Sequence, residues 1–257
     1  MIPPLGKNPP ADVTRDAILG GRVALRQPAR GHRVGHDAVL LAALGPQACR
    51  AMVDLGAGVG GAGLSFLARV PQARGTLVEI DPDLAALALQ NVDVNGWAAR
   101  CTVVAGDVLT LARPSGPAEP QPGAADLVLM NPPFNANAAH QISPHAGRAR
   151  AHMAAGELLG AWVKAAYRCL APGGVLCLIH RPEELGAILG ALAGRFGAAE
   201  LLAVHPRPDA PAVRLLVRAV KGRRTPLRLL PGLALADAHG NPTAAAEAVL
   251  RDAQGLG

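Results

Sequence analysis

Val53-Asp54-Leu55-Gly56-Ala57-Gly58-Val59-Gly60-Gly61 joins an apolar, strand-like run starting at Ala51 to a helical run around Leu64–Arg69. Glycines at such a turn permit positive φ and let a ligand approach the backbone closely. Gly56, Gly58 and Gly61 match the dinucleotide fingerprint G-x-G-x-x-G, which sets a pyrophosphate at a helix N-terminus. The acid just before the glycines, Asp54, favours instead a ligand that carries a cation and no phosphate. A tight turn that binds nothing is the plain alternative.

Outward from this turn, apolar runs of strand length alternate with segments of helical period. Gly75–Ile80, Thr102–Ala105, Asp126–Met130 and Val175–Ile179 read as strands, and Leu84–Val94, Leu158–Leu170 and Leu185–Phe196 as helices. Leu201–Val204 and Val213–Val220 close the series as two strands with no helix between them. The alternation predicts an α/β fold, a mostly parallel sheet of about seven strands covered by helices on both faces. The closing pair predicts an antiparallel edge hairpin. Upstream, a strand follows the Gly-Gly turn within Leu19–Pro28, and His36–Leu44 reads as a short helix with Asp37 at its positive end. Residues 1–15 read as a loose, flexible N-terminus, 16–50 as an N-terminal extension and 51–251 as the main domain. Four prolines and two glycines within residues 113–124 predict a loop where a crossover helix would otherwise sit.

Of the 257 residues 50% are hydrophobic and 17% charged, which excludes a disordered chain, and six aromatics leave the core to aliphatic side chains. So few aromatics also argue against a binding face of many stacked rings. Cys49, Cys101, Cys169 and Cys177 contain no Cys-x-x-Cys pair, unlike a disulfide scaffold or a zinc knuckle. The N-terminal MIPPLGKNPP lacks the apolar core of a signal peptide, and no run of about 18 apolar residues occurs. A cytoplasmic protein with no membrane partner is expected. The net charge is +6, and 22 of the 25 basic residues are arginine, whose planar fork suits phosphate oxygens. Arg207, Arg214, Arg218, Lys221, Arg223, Arg224 and Arg228 face a single acid, Asp209, between His205 and Arg228. Alone, this run reads equally as a solvated face or as a polyanion site.

Later strands end in residues suited to a nucleoside. Glu79, in Val78-Glu79-Ile80-Asp81, is placed to accept both ribose hydroxyls. Asp107 follows the next strand, where a carboxylate can accept from an adenine amine; by itself it reads as a loop or capping residue. Asp81 with Pro82 reads as a helix start. The fourth strand runs into Asn131-Pro132-Pro133-Phe134. Asn-Pro-Pro is a common strand exit, yet carboxyl ends of parallel strands form the ligand crevice of such sheets. The exocyclic amine of a base, or a side-chain amide, is a poor nucleophile because its lone pair is delocalised. Two acceptors aimed at its N–H bonds localise that pair, and the Asn131 side-chain oxygen and the Pro132 carbonyl are suitable. Pro132 and Pro133 hold them in place, and Phe134 offers a face for stacking. S-adenosylmethionine, a sulfonium without phosphate, meets both demands.

Together DLGAGVG, VEID, GD and NPPF resemble the class I S-adenosylmethionine-dependent methyltransferases that act on planar nitrogens. The head RVGHDAVLLAA and the tail HPRPDAPAVRLLVRAVKGRRTPLRLLPGLAL resemble the bacterial tRNA(Val) adenine-N6 methyltransferases, which modify the purine beside the anticodon. The resemblance implies a Rossmann-like fold, S-adenosyl-L-methionine as cofactor, an RNA substrate and no metal. It implies that His36, Asp37, Asp54, Gly56, Gly58, Gly60, Glu79 and Asp107 bind the donor, with Arg33–Asp37 closing over its methionine end. Asn131, Pro132, Pro133 and Phe134 would hold the target base. Arg207, Arg214, Arg218, Lys221, Arg223 and Arg224 would hold RNA, joined by Arg22, Arg26, Arg30 and Arg33. Phe134 stands where many relatives have Tyr, and His36 where Thr is usual. The stretch after Phe134 reads as a substrate lid, and its His140, His145 and His152 lack metal-ligand spacing. Guanine-N2 methylation of rRNA and glutamine methylation of a protein share the motif. A nicotinamide oxidoreductase would leave NPPF unexplained, and a non-catalytic RNA-binding module would leave Asp54, Glu79, Asn131 and Phe134 without purpose.

Overall fold

The computed structural model describes residues 12–30, 33–111, 120–133 and 148–256, with the side chains of 148–155 outside the description. A hairpin of β1 (Val13–Ile18) and β2 (Val23–Pro28) leads through α1 (His36–Ala43) into β3 (Ala51–Leu55), α2 (Gly61–Arg69), β4 (Arg74–Glu79) and α3 (Pro82–Val94). There follow β5 (Cys101–Ala105), the short α4 (Val108–Leu111), β6 (Ala125–Met130), α5 (Arg148–Cys169), β7 (Leu170–His180) and α6 (Leu185–Leu192). The chain closes with β8 (Phe196–His205), β9 (Arg214–Lys221), two-residue strands β10 (Arg228–Leu229) and β11 (Leu233–Ala234), and α7 (Ala244–Leu250).

Among the described residues the main sheet has nine strands in the order β10-β8-β9-β7-β6-β3-β4-β5, with β11 also on β8. All pairings are parallel except those of β9, which runs antiparallel between β7 and β8. The expected hairpin is thus β8–β9, and the two extra strands are short pieces of the tail that cover the outer edge of β8. After β5 the chain returns to the other side of β3 to form β6, so the strand order reverses between β3 and β6. Ligands bind at such reversals, outside the carboxyl ends of the strands.

Both sheet faces are covered, which is why the strands read as continuous apolar runs. Leu41 of α1, Leu64 and Phe66 of α2, Val92 of α3 and Val249 of α7 pack on one face with Met52, Leu77 and Leu129. Leu111 of α4, Trp162 and Val163 of α5 and Ile188 of α6 pack on the other with Val53, Leu55 and Met130. No helix among the described residues is long and apolar enough to cross a membrane.

Two segments differ from the sequence reading. Val13–Arg15, within the stretch read as loose, lies in β1, which alternates half-buried and exposed residues and is held by pairing with β2. The helix expected to reach Phe196 stops at Leu192, because Gly194 turns the chain at φ +74° and Phe196 begins β8. After α4, residues 112–119 of the expected loop lie outside the described residues.

The N-terminal hairpin is docked by side-chain amides. Asn91 of α3 and Asn95, the C-cap of that helix one turn on, each exchange hydrogen bonds with the free edge of β2. Asn95 Oδ1 accepts the Ala24 N–H at 3.0 Å and Nδ2 donates to the Ala24 carbonyl at 2.8 Å. Asn91 does the same to Arg26 at 2.6 and 2.9 Å. At the hairpin base, Asp16 accepts from Thr14, Gln27 and Arg33, and the hydrogen bond from Gln27 contributes most to holding its carboxyl below the usual range.

Asp54 of β3 is buried at 2% exposure, and its Oδ2 accepts the Gly63 N–H of the first turn of α2 at 2.8 Å. Burial pushes its pKa from 3.8 to about 7; the bond from Gly63 opposes this and the charge of Glu79 adds to it. Across this window the folded chain keeps a proton that the unfolded chain has released, so the contribution of Asp54 to stability is full in acid and declines as pH rises through its folded value. The melting temperature of Asp54→Asn, which keeps an acceptor for Gly63, should therefore rise relative to wild type between about pH 5 and about pH 8. A difference in melting temperature that is flat with pH would contradict this, and taking the difference cancels the carboxylates that do not interact with Asp54.

Candidate active site

Four neighbouring strand tips carry the residues of interest. Leu55 of β3 lies level with Met130 of β6 and with Val78 of β4, and Glu79 lies level with Ala105 of β5. Asn131, the Gly56–Gly60 turn, Glu79 and Asp107 thus follow one another along a single edge, on strands about 4.8 Å apart.

The glycine turn is a backbone cradle. Gly58 has φ +57°, and a Cβ built there would meet nothing within 4 Å, so its side faces open space. Gly56 has φ +67° and a different constraint, since a Cβ on it would lie 2.4 Å from Trp162 Cη2. Glu79 fixes the turn to β4: its Oε2 accepts the Gly58 N–H at 2.7 Å and its Oε1 the Asp81 N–H at 2.9 Å. Asp81 caps α3 through Asp83 and Leu84, as its place before Pro82 indicated. Ile80, between the two acids, is 62% exposed and lays an apolar surface on the rim. Asp107 Oδ1 accepts the Leu109 N–H and so caps α4 at 2.8 Å. Asp54 lies beneath the turn as a support of α2, in the position described above.

Across the reversal, Asn131 leaves β6 with its side-chain oxygen Oδ1 buried and without a hydrogen-bond partner among the described residues. Pro132 is buried and Pro133 exposed. Phe134, His140 and His145 lie outside the described residues, as does the side chain of His152. At the tip of the next strand, β7, His180 is 4% exposed, and burial holds its pKa below the ordinary value. Sequence reasoning missed His180, Ile80 and Trp162. Trp162 was legible only as part of an apolar helical stripe.

The N-terminal clamp reaches the same edge. Val34 packs on Gly61, at the start of α2. His36 is exposed, and Asp37, in the first turn of α1, accepts from Arg214 Nε at 2.8 Å with both side chains about 30% exposed. A residue read as part of the donor site and one read as an RNA contact therefore bind each other.

The basic run does not gather into one patch. Strand β9 points opposite to its neighbours, so Arg214 sits at the site edge and Lys221 at the far end of the sheet. Arg218 is forked onto Glu200, with Nε at 2.7 Å, and Arg228 adds a longer contact to the same carboxylate. Lys221 donates to the Tyr167 and Leu170 carbonyls at 2.7 and 2.6 Å, closing the end of α5. Arg223 and Arg224 are exposed beyond it, while Arg207 is exposed on the β8–β9 loop at the site edge, 3.6 Å from Asp209. Near the N-terminus, Arg33 pairs with Asp16, Arg26 reaches Gln90, Arg22 bonds the Leu19 and Arg251 carbonyls, and Arg30 is exposed.

An open glycine turn, a carboxylate at the neighbouring tip and an exposed apolar rim fit a nucleoside donor. Comparison with known proteins agrees. Residues 35–206 match the family model of the methyltransferase small domain. A tRNA1(Val) (adenine(37)-N6)-methyltransferase of Yersinia pestis (strain Pestoides F) is 30% identical over 189 residues, covering 72% of this chain and 73% of that protein. The crystal structure of a predicted O-methyltransferase from Agrobacterium tumefaciens superposes with a TM-score of 0.70 at 30% identity, over 86% of this chain and 98% of that one. P. horikoshii TYW2, solved in complex with MeSAdo, shares the fold at a TM-score of 0.52 and 14% identity, over 83% and 73% of the two chains. The chain belongs to the methyltransferase small-domain family, in the company of the tRNA1(Val) adenine-N6 methyltransferases, and its cofactor is S-adenosylmethionine.

Proposed function

We propose that this protein methylates the exocyclic N6 of an adenine in tRNA, with tRNA(Val) beside the anticodon as the favoured substrate, in the cytoplasm. The observation that carries the reading is the buried Oδ1 of Asn131, unpartnered among the described residues and beside the glycine turn. Leaving such an acceptor unsatisfied costs about 1–3 kcal/mol, a cost that a bound N–H donor removes. An exocyclic amine is a donor of this kind, and its second N–H would meet the Pro132 carbonyl. With both N–H bonds held, the nitrogen lone pair is drawn out of conjugation and can be aimed at the neighbouring strand tip.

At that tip the Gly56–Gly60 turn, Glu79, Ile80 and Asp107 would hold the donor: Glu79 at the ribose, Ile80 against the face of its base, Asp107 at its amino group. When bound, S-adenosylmethionine supplies an electrophilic methyl group on a sulfonium. Asn131 and the two prolines supply orientation and preorganised acceptors. The proton lost from the methylated nitrogen can pass to water, since the reading requires no side chain of the chain to act as base. Phe134 would stack on the base. An anticodon loop already presents unpaired bases, so bringing one to this edge costs less than from a duplex.

The tRNA1(Val) name of the Yersinia pestis relative favours adenine-N6 over the guanine and glutamine alternatives that share the motif. Of the basic residues assigned to RNA, Arg207, Arg223 and Arg224 are exposed and suited to phosphates, whereas Arg214, Arg218 and Lys221 are engaged within the fold.

Nucleoside mass spectrometry of each tRNA and rRNA from cells lacking the gene should show N6-methyladenosine lost from a single tRNA; loss of a methylguanosine from rRNA instead would overturn the reading. Asn131→Ala should lower kcat by about 100-fold or more with donor affinity unchanged, and unaltered turnover would remove the acceptor role. In salt titrations of tRNA binding, Arg207→Ala should reduce the slope of log K against log salt by about 0.7–0.9. Arg218→Ala should leave that slope alone and lower the melting temperature. The reverse pattern would show that the phosphate contacts are assigned to the wrong arginines.

A further inference from the structure

The Asn91 amide does more than dock the hairpin. Its side chain is fully buried, and after Oδ1 has accepted from Arg26 N–H and one hydrogen of Nδ2 has gone to the Arg26 carbonyl, the other donates to the Val59 carbonyl at 2.9 Å. Both amide hydrogens and an oxygen lone pair are thus committed. The Arg26 N–H also decides which way round the amide sits, because a flipped amide would set its oxygen against two carbonyls. Val59 lies between Gly58 and Gly60, both at positive φ. The turn is pinned from two sides: Glu79 of β4 holds the Gly58 N–H, and Asn91 of α3 holds the Val59 carbonyl.

We propose that Asn91 is a positioning residue for the methyl donor, linking the seating of the N-terminal hairpin to the conformation of the glycine turn. Removing the amide leaves the Val59 carbonyl buried without its donor and frees the Val59–Gly60 peptide to rotate, which disturbs the adjoining Gly58 backbone that faces the open cradle. The inference rests on the reading that this turn holds the donor.

Asn95 provides an internal control. It makes the same paired bonds to β2, but its remaining hydrogen goes to the Asn91 carbonyl at 2.7 Å and not to the turn. Loss of either amide should loosen the hairpin, and only loss of Asn91 should reach the cradle.

The test is isothermal titration of the full chain with S-adenosylhomocysteine, with melting temperatures measured in parallel, for Asn91→Ala, Asn95→Ala and Glu79→Ala. Both asparagine variants should lose thermal stability. Asn91→Ala should weaken binding about 10-fold, the factor expected for one buried hydrogen bond left unmade, while Asn95→Ala leaves affinity unchanged. Equal effects of the two on affinity, or wild-type affinity in Asn91→Ala, would overturn the proposal. If Asn91→Ala does not fold, Asn91→Ser, too short to span Arg26 and Val59, is read by the same criteria. Glu79→Ala separates the two claims. Unchanged binding in that variant would show that the donor lies elsewhere, whereas weakened binding with Asn91→Ala behaving like Asn95→Ala would defeat this inference alone.

Discussion

The parallel pairing of β3 with β6 is the constraint on which the site depends. Its register sets Leu55 level with Met130, so the residues leaving the two strands, Gly56 and Asn131, emerge side by side. The connection order puts a reversal between these two strands, which opens a crevice there. A slip of one residue would turn Asn131 to the opposite sheet face. Asp126 at the start of β6 opposes that slip, since its Oδ2 accepts the Arg50 and Ala51 N–H at the start of β3 at 2.8 and 2.9 Å.

Around this pair the fold spends polar side chains on holding backbone. Glu79, Asp54, Asn91 and Asp107 each accept from or donate to a peptide group at the sheet edge. Such bonds keep the turn in the left-handed conformations that its glycines allow, so the cradle stands ready without waiting for a ligand. Asn131 differs from these four: its oxygen is buried and, among the described residues, left open. A buried acceptor left open at the mouth of a crevice marks the point where an outside donor is expected.

Much of this was legible in the sequence because it rests on local rules. The Gly-rich turn after a strand, Asp81 capping before Pro82, and alternating strands and helices each follow from a few neighbouring residues. The position of Asn131 was legible too, because two prolines after an apolar strand can only be a strand exit. Long-range pairing was not. Arg218 and Lys221 look like free cations in a linear basic run, but β9 inserts antiparallel between two strands and delivers them to Glu200 and to the end of α5. Likewise Asp37 and Arg214, 177 residues apart, meet only because α1 folds onto the sheet edge. The hairpin strand β1 escaped notice because its half-exposed, charged alternation is stable only beside β2, and Asn91 and Asn95 read as ordinary polar residues until β2 is laid against them.

The central claim is that Asn131 accepts from the amine being methylated. The most direct measurement is a crystal structure with S-adenosylhomocysteine and an anticodon-loop RNA. The account predicts that Asn131 Oδ1 and the Pro132 carbonyl each lie within hydrogen-bond distance of one adenine N6, on the side facing the sulfur. An adenine bound with its amine elsewhere, and Asn131 Oδ1 satisfied by the protein's own groups, would contradict it.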